Sequence, residues 1–432
     1  MLQKAAIIGF GCAGYHAAKA MRDAGWTGEI HVYTDTTASP ANPMLTTYYV
    51  SGKLPYEGMF PFGPLEEIAE HLSLTLHPHP VESVDSASRT VTCADGTCLA
   101  FDKLLFATGA RAFVPPLPGA EDTDVYCMRT VSDAVALKGR LDRGGVRSAV
   151  VIGASMVGIK LVELLQKRGI TCTLADMAPR IFPLAALPDT AEEIHRRLTE
   201  KGVTLKFSAG ISSIERAGGG LRAHFGDGSC VPCDLILLCI GTRANTGLAD
   251  SGVRVNRGIV VDERMETSVP GIYAAGDCCE GNNLQSGQTM IIGLWANAAR
   301  QGTVAGRNMA GCPDHSDGNI PHNITHFMDM DFIGAGDNRV QGETVHYASP
   351  DGGTEIWAVL SGGRIACLNI LDNYKSCGAL KQYLLKRLRL SQPEPIPPVS
   401  RARLLREGIP AEFLALLENG YAGSPANAER EE

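Results

Sequence analysis

The sequence predicts an α/β chain built on two separate parallel sheets, each opening onto a glycine-rich turn. Three observations predict it. The order strand, glycine turn, helix, strand, acid occurs at residues 5–35 and returns at 148–176. The strands are short, wholly apolar runs, as parallel sheets covered on both faces require. The length, 432 residues, exceeds one core and suggests roughly three domains at ~150 residues each.

The first unit opens with the strand Ala5–Ile8 and the turn Gly9-Phe10-Gly11-Cys12-Ala13-Gly14. A helix over Tyr15–Ala24 is ended by Gly25, and the strand Glu29–Tyr33 runs into Asp35. A dinucleotide pyrophosphate needs close backbone approach and positive partial charge. Gly9, Gly11 and Gly14 give the turn, the approach and the helix packing, and the helix N-terminus gives unpaired N–H groups. Asp35, roughly 20 residues on, is placed to accept from ribose hydroxyls. A Rossmann-like unit is the reading.

The second copy starts at the strand Ala149–Ile152 and turns through Gly153-Ala154-Ser155-Met156-Val157-Gly158. Serine stands at the middle glycine. The helix Ile159–Arg168 stops at Gly169, and the strand Thr171–Leu174 ends at Asp176. A carboxylate there hydrogen-bonds the 2′-hydroxyl of NADH and repels the 2′-phosphate of NADPH. Arg180 lies close enough to weaken that preference. NADH is therefore expected, and NADPH less so.

Two further apolar strands, Leu104–Ala107 and Leu235–Ile240, each close on glycine, after hairpins around Asp95-Gly96 and Asp227-Gly228. Beyond Pro321 come a strand at Thr354–Leu360 and a basic helix at Ala379–Leu390. The stretch Pro393–Pro398 reads as a stiff linker, followed by a short helix, Pro410–Glu418, and a disordered acidic end.

Composition removes other classes. With 39 Lys+Arg against 47 Asp+Glu, the formal charge of −8 argues against a nucleic-acid binder. The apolar runs fall far short of the ~20 residues that span a bilayer, and the start carries no signal-peptide pattern. Thirteen cysteines are too sparse for a disulfide scaffold and read as reduced, cytoplasmic thiols. Cys230-Val231-Pro232-Cys233 has no second pair to complete a zinc set, so no metal site is expected. Cys93 and Cys98 flank the other hairpin and read as structural too.

Together with Ala107-Thr108-Gly109-Ala110, Ile240-Gly241-Thr242-Arg243 and Gly271-Ile272-Tyr273-Ala274-Ala275-Gly276-Asp277, the two glycine motifs make the chain resemble the FAD-dependent pyridine nucleotide-disulfide oxidoreductase superfamily. The resemblance covers about residues 1–390. It implies an FAD domain at 1–114 and 245–318, an inserted NAD(P)H domain at 115–244, and a C-terminal α+β interface domain at 319–392. Residues 393–432 are left as linker and helical tail. In the family the last motif's aspartate holds the ribityl and pyrophosphate end of FAD, a role that passes to Asp277. The implied FAD contacts further include Ala13, Asn42, Thr47, Thr108, Gly109, Arg111, Gly276 and Trp295. Gly241 joins Gly153, Ser155, Met156, Val157 and Asp176 on the NAD side.

Residues 41–52 separate branches of the superfamily. They are similar to the flavin-side stretch of ferredoxin and rubredoxin reductases, but Asn42 stands for that branch's arginine and Thr47 for its lysine. They are also similar to the flavin domain of assimilatory nitrite reductases. Coenzyme A-disulfide reductases and related NADH oxidases place a redox cysteine where this chain has Pro43. The expectation is an NADH oxidoreductase passing electrons through FAD to a ferredoxin- or rubredoxin-type protein or a partner subunit. Two alternatives stand beside it. One is an NADH oxidase or disulfide reductase using Cys278 or Cys279, which with Thr47 are the candidate catalytic residues. The other is a flavoprotein acting as redox sensor or assembly subunit. A homodimer is possible.

Overall fold

A computed structural model describes residues 2–34, 39–389 and 394–419. The chain divides into two compact units that interleave along the sequence. The first comprises Met1–Pro115, Tyr126–Gly145 and Ile240–Asn319; the second comprises Pro116–Val125, Val146–Cys239 and Ile320–Glu432.

The first unit is built on a five-stranded parallel sheet. Its order is Ile272–Ala274, Lys103–Phe106, Lys4–Ile8, Glu29–Tyr33 and Leu74–His77. The central run Ala5-Ala6-Ile7 is wholly buried, because helices lie on the sheet and exclude water from it. The helix after the first turn, Cys12–Asp23, packs on Trp295–Met309. Its Gly14 lies so close to the turn that an added Cβ would sit 2.3 Å from the Gly9 carbonyl oxygen. A small antiparallel sheet, Val81–Asp85, Thr90–Cys93 and Cys98–Ala100, completes the expected hairpin, with Gly96 at φ +81°.

The second unit repeats the arrangement. Thr204–Lys206, Thr171–Ala175, Ser148–Ile152 and Leu235–Leu238 lie side by side in parallel. Its turn helix is Met156–Lys167, and a Cβ on Gly158 would sit 2.0 Å from the Gly153 oxygen. Ile211–Ala217, Gly220–Phe225 and Cys230–Cys233 form the second antiparallel sheet.

From His322 to Leu371 the chain forms a five-stranded antiparallel sheet covered by the helix Tyr374–Arg389. Two buried amides join this sheet to the loop 183–187 of the same unit. Asn369 accepts from the Leu187 N–H (2.7 Å) and donates to the Ala185 oxygen (3.0 Å), while Asn338 donates to the oxygens of Pro183 and Ala186.

Three expectations are corrected. Pro393–Pro398 is not a free linker over its described part. Ile396 is buried, Glu394 pairs with Lys386, and Pro398 opens a helix, Pro398–Arg406, that the reading missed. Proline suits the first helical position, so it starts this helix rather than ending one. The basic helix begins at Tyr374 instead of Ala379, since Asn373 accepts from the Ser376 N–H and starts it early. The helix Val131–Asp142, absent from the reading, is set by a capping box between Thr130 and Asp133. The expected acidic end and Asp35 lie outside the described residues.

Candidate functional site

In the first unit an open cleft of about 140 Å³ lies between the glycine turn and the segment that ends the sheet. Gly11, Ala13, Asn42, Gly109, Gly276, Asp277 and Trp295, all among the expected FAD residues, line it. Gly9 and Gly14 shape the turn from behind; a Cβ on Gly9, at φ +91°, would sit 2.4 Å from the Ala107 oxygen. Gly11 differs, because a Cβ there would meet nothing within 4 Å. Its backbone faces open space. The helix it caps has no acid in its first turn, so its amide ends stay attractive to an anion. These features fit the pyrophosphate of FAD.

Asp277 is already engaged. Its Oδ2 accepts from Arg129 Nη2 at 2.6 Å, and both side chains are about four-fifths shielded from solvent. Arg129 also donates to the Ala110 oxygen and lines the cleft. The sequence reading missed it. A signal was there: Thr130 and Asp133 mark a helix start, which aims the preceding arginine. An arginine beside a carboxylate lets the phosphates approach without facing an uncompensated negative charge.

Thr47, Thr108 and Arg111 are not among the residues that line the cleft. Thr47 is buried within the helix Thr46–Val50. Thr108 donates its hydroxyl to the Asn245 oxygen at 2.6 Å, and Arg111 donates to the Asn245 side chain at 3.1 Å. Asn245 thus organises the segment 108–111, which leads into the strand Ala110–Ala112, and is another residue the reading missed. Asn42 caps a short turn by accepting from the Met44 N–H. Trp295 stacks on Phe62 (5.7 Å, 16°), which stacks on Tyr15 (3.9 Å, 12°), giving one wall an aromatic ladder.

The thiols are placed unfavourably for redox relay. Cys278 and Cys279 are buried, and burial pushes both thiols up, Cys279 well above the ordinary range. Cys278 donates to the oxygens of Phe106 and Ala275 at 3.3 Å. Cys12 lines the cleft, with burial first and Asp277 second pushing it up to about 12. Cys230 and Cys233 point to opposite faces of their strand, one exposed and one buried, as a separation of three residues dictates. Among the described residues no group of three or more His, Cys, Asp or Glu could hold a metal ion.

In the second unit Ser155 caps the turn helix. Its hydroxyl accepts from the Gly158 N–H at 3.2 Å and donates to the Cys239 oxygen at 3.0 Å. The two bonds hold the side chain to the backbone of its own unit, so serine is accommodated at the middle glycine position. Met156 and Val157 form the first turn, with Val157 exposed. Asp176 accepts from the N–H of Ala154 (2.7 Å) and of Ala178 (2.8 Å), leaving further lone pairs for ribose hydroxyls. The Phe182 N–H donates to the Ala154 oxygen, holding the 177–182 loop to the turn, and Arg180 Nε there is buried without a partner. An orphan donor beside the turn fits a coenzyme that brings acceptors. Gly241, at φ +106°, falls in the first unit.

The family model for pyridine nucleotide-disulphide oxidoreductases matches residues 3–302. The chain belongs to this family. It is an oxidoreductase of the FAD- and NAD-dependent kind, with the two dinucleotide-binding sheets that kind requires. It is 30% identical over 318 residues to an NADH oxidase of Methanocaldococcus jannaschii, covering 71% of this chain and 70% of that protein. It is 28% identical over 395 residues to the epsilon subunit of the NADH-dependent phenylglyoxylate dehydrogenase of Aromatoleum evansii, covering 89% and 92%. Among solved structures, a ferredoxin reductase for the CYP199A2 system of Rhodopseudomonas palustris superposes with a TM-score of 0.79 at 25% identity, over 86% of this chain and 91% of that one. No helix among the described residues is long and apolar enough to cross a membrane.

Proposed function

We propose that this protein accepts hydride from NADH and delivers the electrons singly to an iron–sulfur or rubredoxin-type protein, or to a partner subunit carrying such a centre. The observation that carries this reading is the lack of a relay thiol in the cleft lining. Pro43 lines it at the position where disulfide-reducing relatives carry their cysteine, and Cys12, the thiol that does line it, has its proton held by burial. Bound FAD supplies the change from a two-electron donor to one-electron acceptors. The chain's own residues bind and orient: the two glycine turns take the pyrophosphates, Arg129 balances Asp277, and Asp176 selects the ribose.

The names of the similar proteins support this class, one being a ferredoxin reductase and another a subunit of an NADH-dependent dehydrogenase. The thirteen free cysteines support a reducing compartment, the cytoplasm. A second reading, NADH oxidase, rests on the relative of that name.

The test is the double variant Cys278→Ser/Cys279→Ser. It should keep at least half of the NADH-driven reduction of a one-electron dye, measured by stopped flow and then steady turnover. Normal flavin reduction with dye turnover lost would show a thiol relay and move the protein to the disulfide-reductase class. Oxygen consumption faster than reduction of any protein acceptor would establish the oxidase.

A further inference from the structure

Two helices near the end of the second unit carry a charge that the rest of the chain does not. Tyr374–Arg389 and Pro398–Arg406 contain between them eight Lys or Arg and no Asp or Glu, in a chain of formal charge −8. Several of these cations serve the fold. Lys381 Nζ bonds His322 Nε2 at 2.7 Å, Arg387 donates to the Gly363 oxygen, Lys386 pairs with Glu394, and Arg401 pairs with Glu418 at 2.7 Å.

Lys375, Arg403 and Arg406 are different. All three are exposed, and among the described residues none has a carboxylate at ion-pair distance. The fold gathers them. Asn373 Nδ2 donates to the Glu407 oxygen at 3.4 Å, which sets the start of the first helix against the end of the second. Tyr347 donates its hydroxyl to the Gly408 oxygen at 2.8 Å and fixes the same corner. Beside the cations, Tyr374 is 61% exposed and Val399 is 85% exposed. Val399, Ala402, Arg403 and Arg406 share one face at helical spacing. Glu407 at the junction is half-buried and leaves the patch positive.

Exposed tyrosine and arginine with little competing charge is the composition of a protein interface. A membrane fits less well, because Leu380, Leu384 and Leu404 are fully buried in the core and only Val399 and Leu405 are exposed large aliphatic side chains on these helices. The negative charge of the whole chain opposes nucleic acid.

We propose that this corner docks the acidic surface of the protein that receives the electrons. The inference rests on the proposed function above. Opposite charges steer encounter and fix orientation, with an effect that salt weakens.

The test uses the full chain loaded with FAD and the variant Lys375→Glu/Arg403→Glu/Arg406→Glu. NADH-driven reduction of an acidic rubredoxin and an acidic [2Fe–2S] ferredoxin is measured beside reduction of menadione, which is uncharged. The KM for a protein acceptor should rise at least ten-fold, with menadione turnover and flavin content unchanged. Added salt should bring the wild type toward the variant. If charge reversal lowers flavin content, Arg403→Gln/Arg406→Gln replaces it, with a smaller rise in KM expected. A wild type active on either protein whose KM is unmoved by the substitutions overturns the docking inference alone. A wild type that reduces menadione but neither protein overturns the acceptor class, and the docking with it. Co-sedimentation with phosphatidylcholine–phosphatidylglycerol vesicles, lost in the variant, would assign the patch to a membrane and also overturn the proposal.

Discussion

The two glycine turns share a backbone and differ in what they leave bare. In the first, Gly11 presents no side chain to the cleft and the space above it is open. In the second, Ser155 occupies the same position and its hydroxyl is tied to Gly158 and Cys239. The first is shaped for a cofactor pressed on bare backbone and flanked by an Arg–Asp pair. The second ties its one side chain to its own backbone and keeps lone pairs to spare on the Asp176 carboxylate. Position in the motif does not decide which residue is tolerated; what the side chain can bond to does.

Adding one methyl group to each turn sharpens the comparison most. Gly14→Ala and Gly158→Ala each force a Cβ to within 2.3 and 2.0 Å of a backbone oxygen, a clash that must shift helix against strand. The first variant should purify without flavin absorbance. The second should stay yellow and lose reduction by NADH. A colourless Gly158→Ala protein would show that the units do not fail independently.

Asp277→Ala comes next. It removes the partner of Arg129 and leaves a shielded cation in the cleft, at about 1–3 kcal/mol for the unpaired group. Flavin content per chain, read from absorbance, should fall at least several-fold; full occupancy would remove Asp277 from the site. Asp176→Ser acts on the second turn alone. Bringing a 2′-phosphate beside a carboxylate costs on the order of 1–3 kcal/mol, so the preference for NADH over NADPH in flavin reduction should narrow about ten-fold. A wild type that prefers NADPH would transfer the selecting role to Arg180.

The smallest effect concerns the helix of the second turn. Glu163 is buried, which works against its charge, yet hydrogen bonds from Lys167 and Lys160 hold its carboxyl down to about 2. A depressed carboxyl stabilises the fold above its ordinary value near 4.5, and that contribution disappears as pH falls toward 2. Glu163→Gln should therefore cost about 2 kcal/mol near pH 7, by denaturant titration. The difference from wild type should shrink steadily below pH 4.5. A constant difference across that range would mean the loss comes from packing, not charge.

Both sheets and both turns were legible because their signals are local: apolar runs, glycines, and an acid at a fixed distance. The hairpins at Gly96 and Gly228 were legible for the same reason. For Arg129 only the helix start at Thr130 and Asp133 was local; its pairing with Asp277 was not, since no periodicity links the two. The helix Pro398–Arg406 was hidden because a proline-rich approach suggests an extended chain, and burial of Ile396 and Leu404 overrides that. Thr47 matched a motif position, yet tertiary packing buried it in a helix, and it is not among the residues that line the cleft. Residues that act through distant partners leave no mark in a sequence read locally.

The strand order of the first sheet also governs how the protein is made. Its edge strand Ile272–Ala274 and the helix Trp295–Met309 are synthesised long after the turn they complete. A nascent chain halted before Ile272 has the first glycine turn but lacks the edge strand, the helix Trp295–Met309 and the Asp277 that pairs with Arg129. Cofactor loading therefore waits for most of translation, and the interrupted first unit must stay competent while an entire second sheet emerges from the ribosome between its halves.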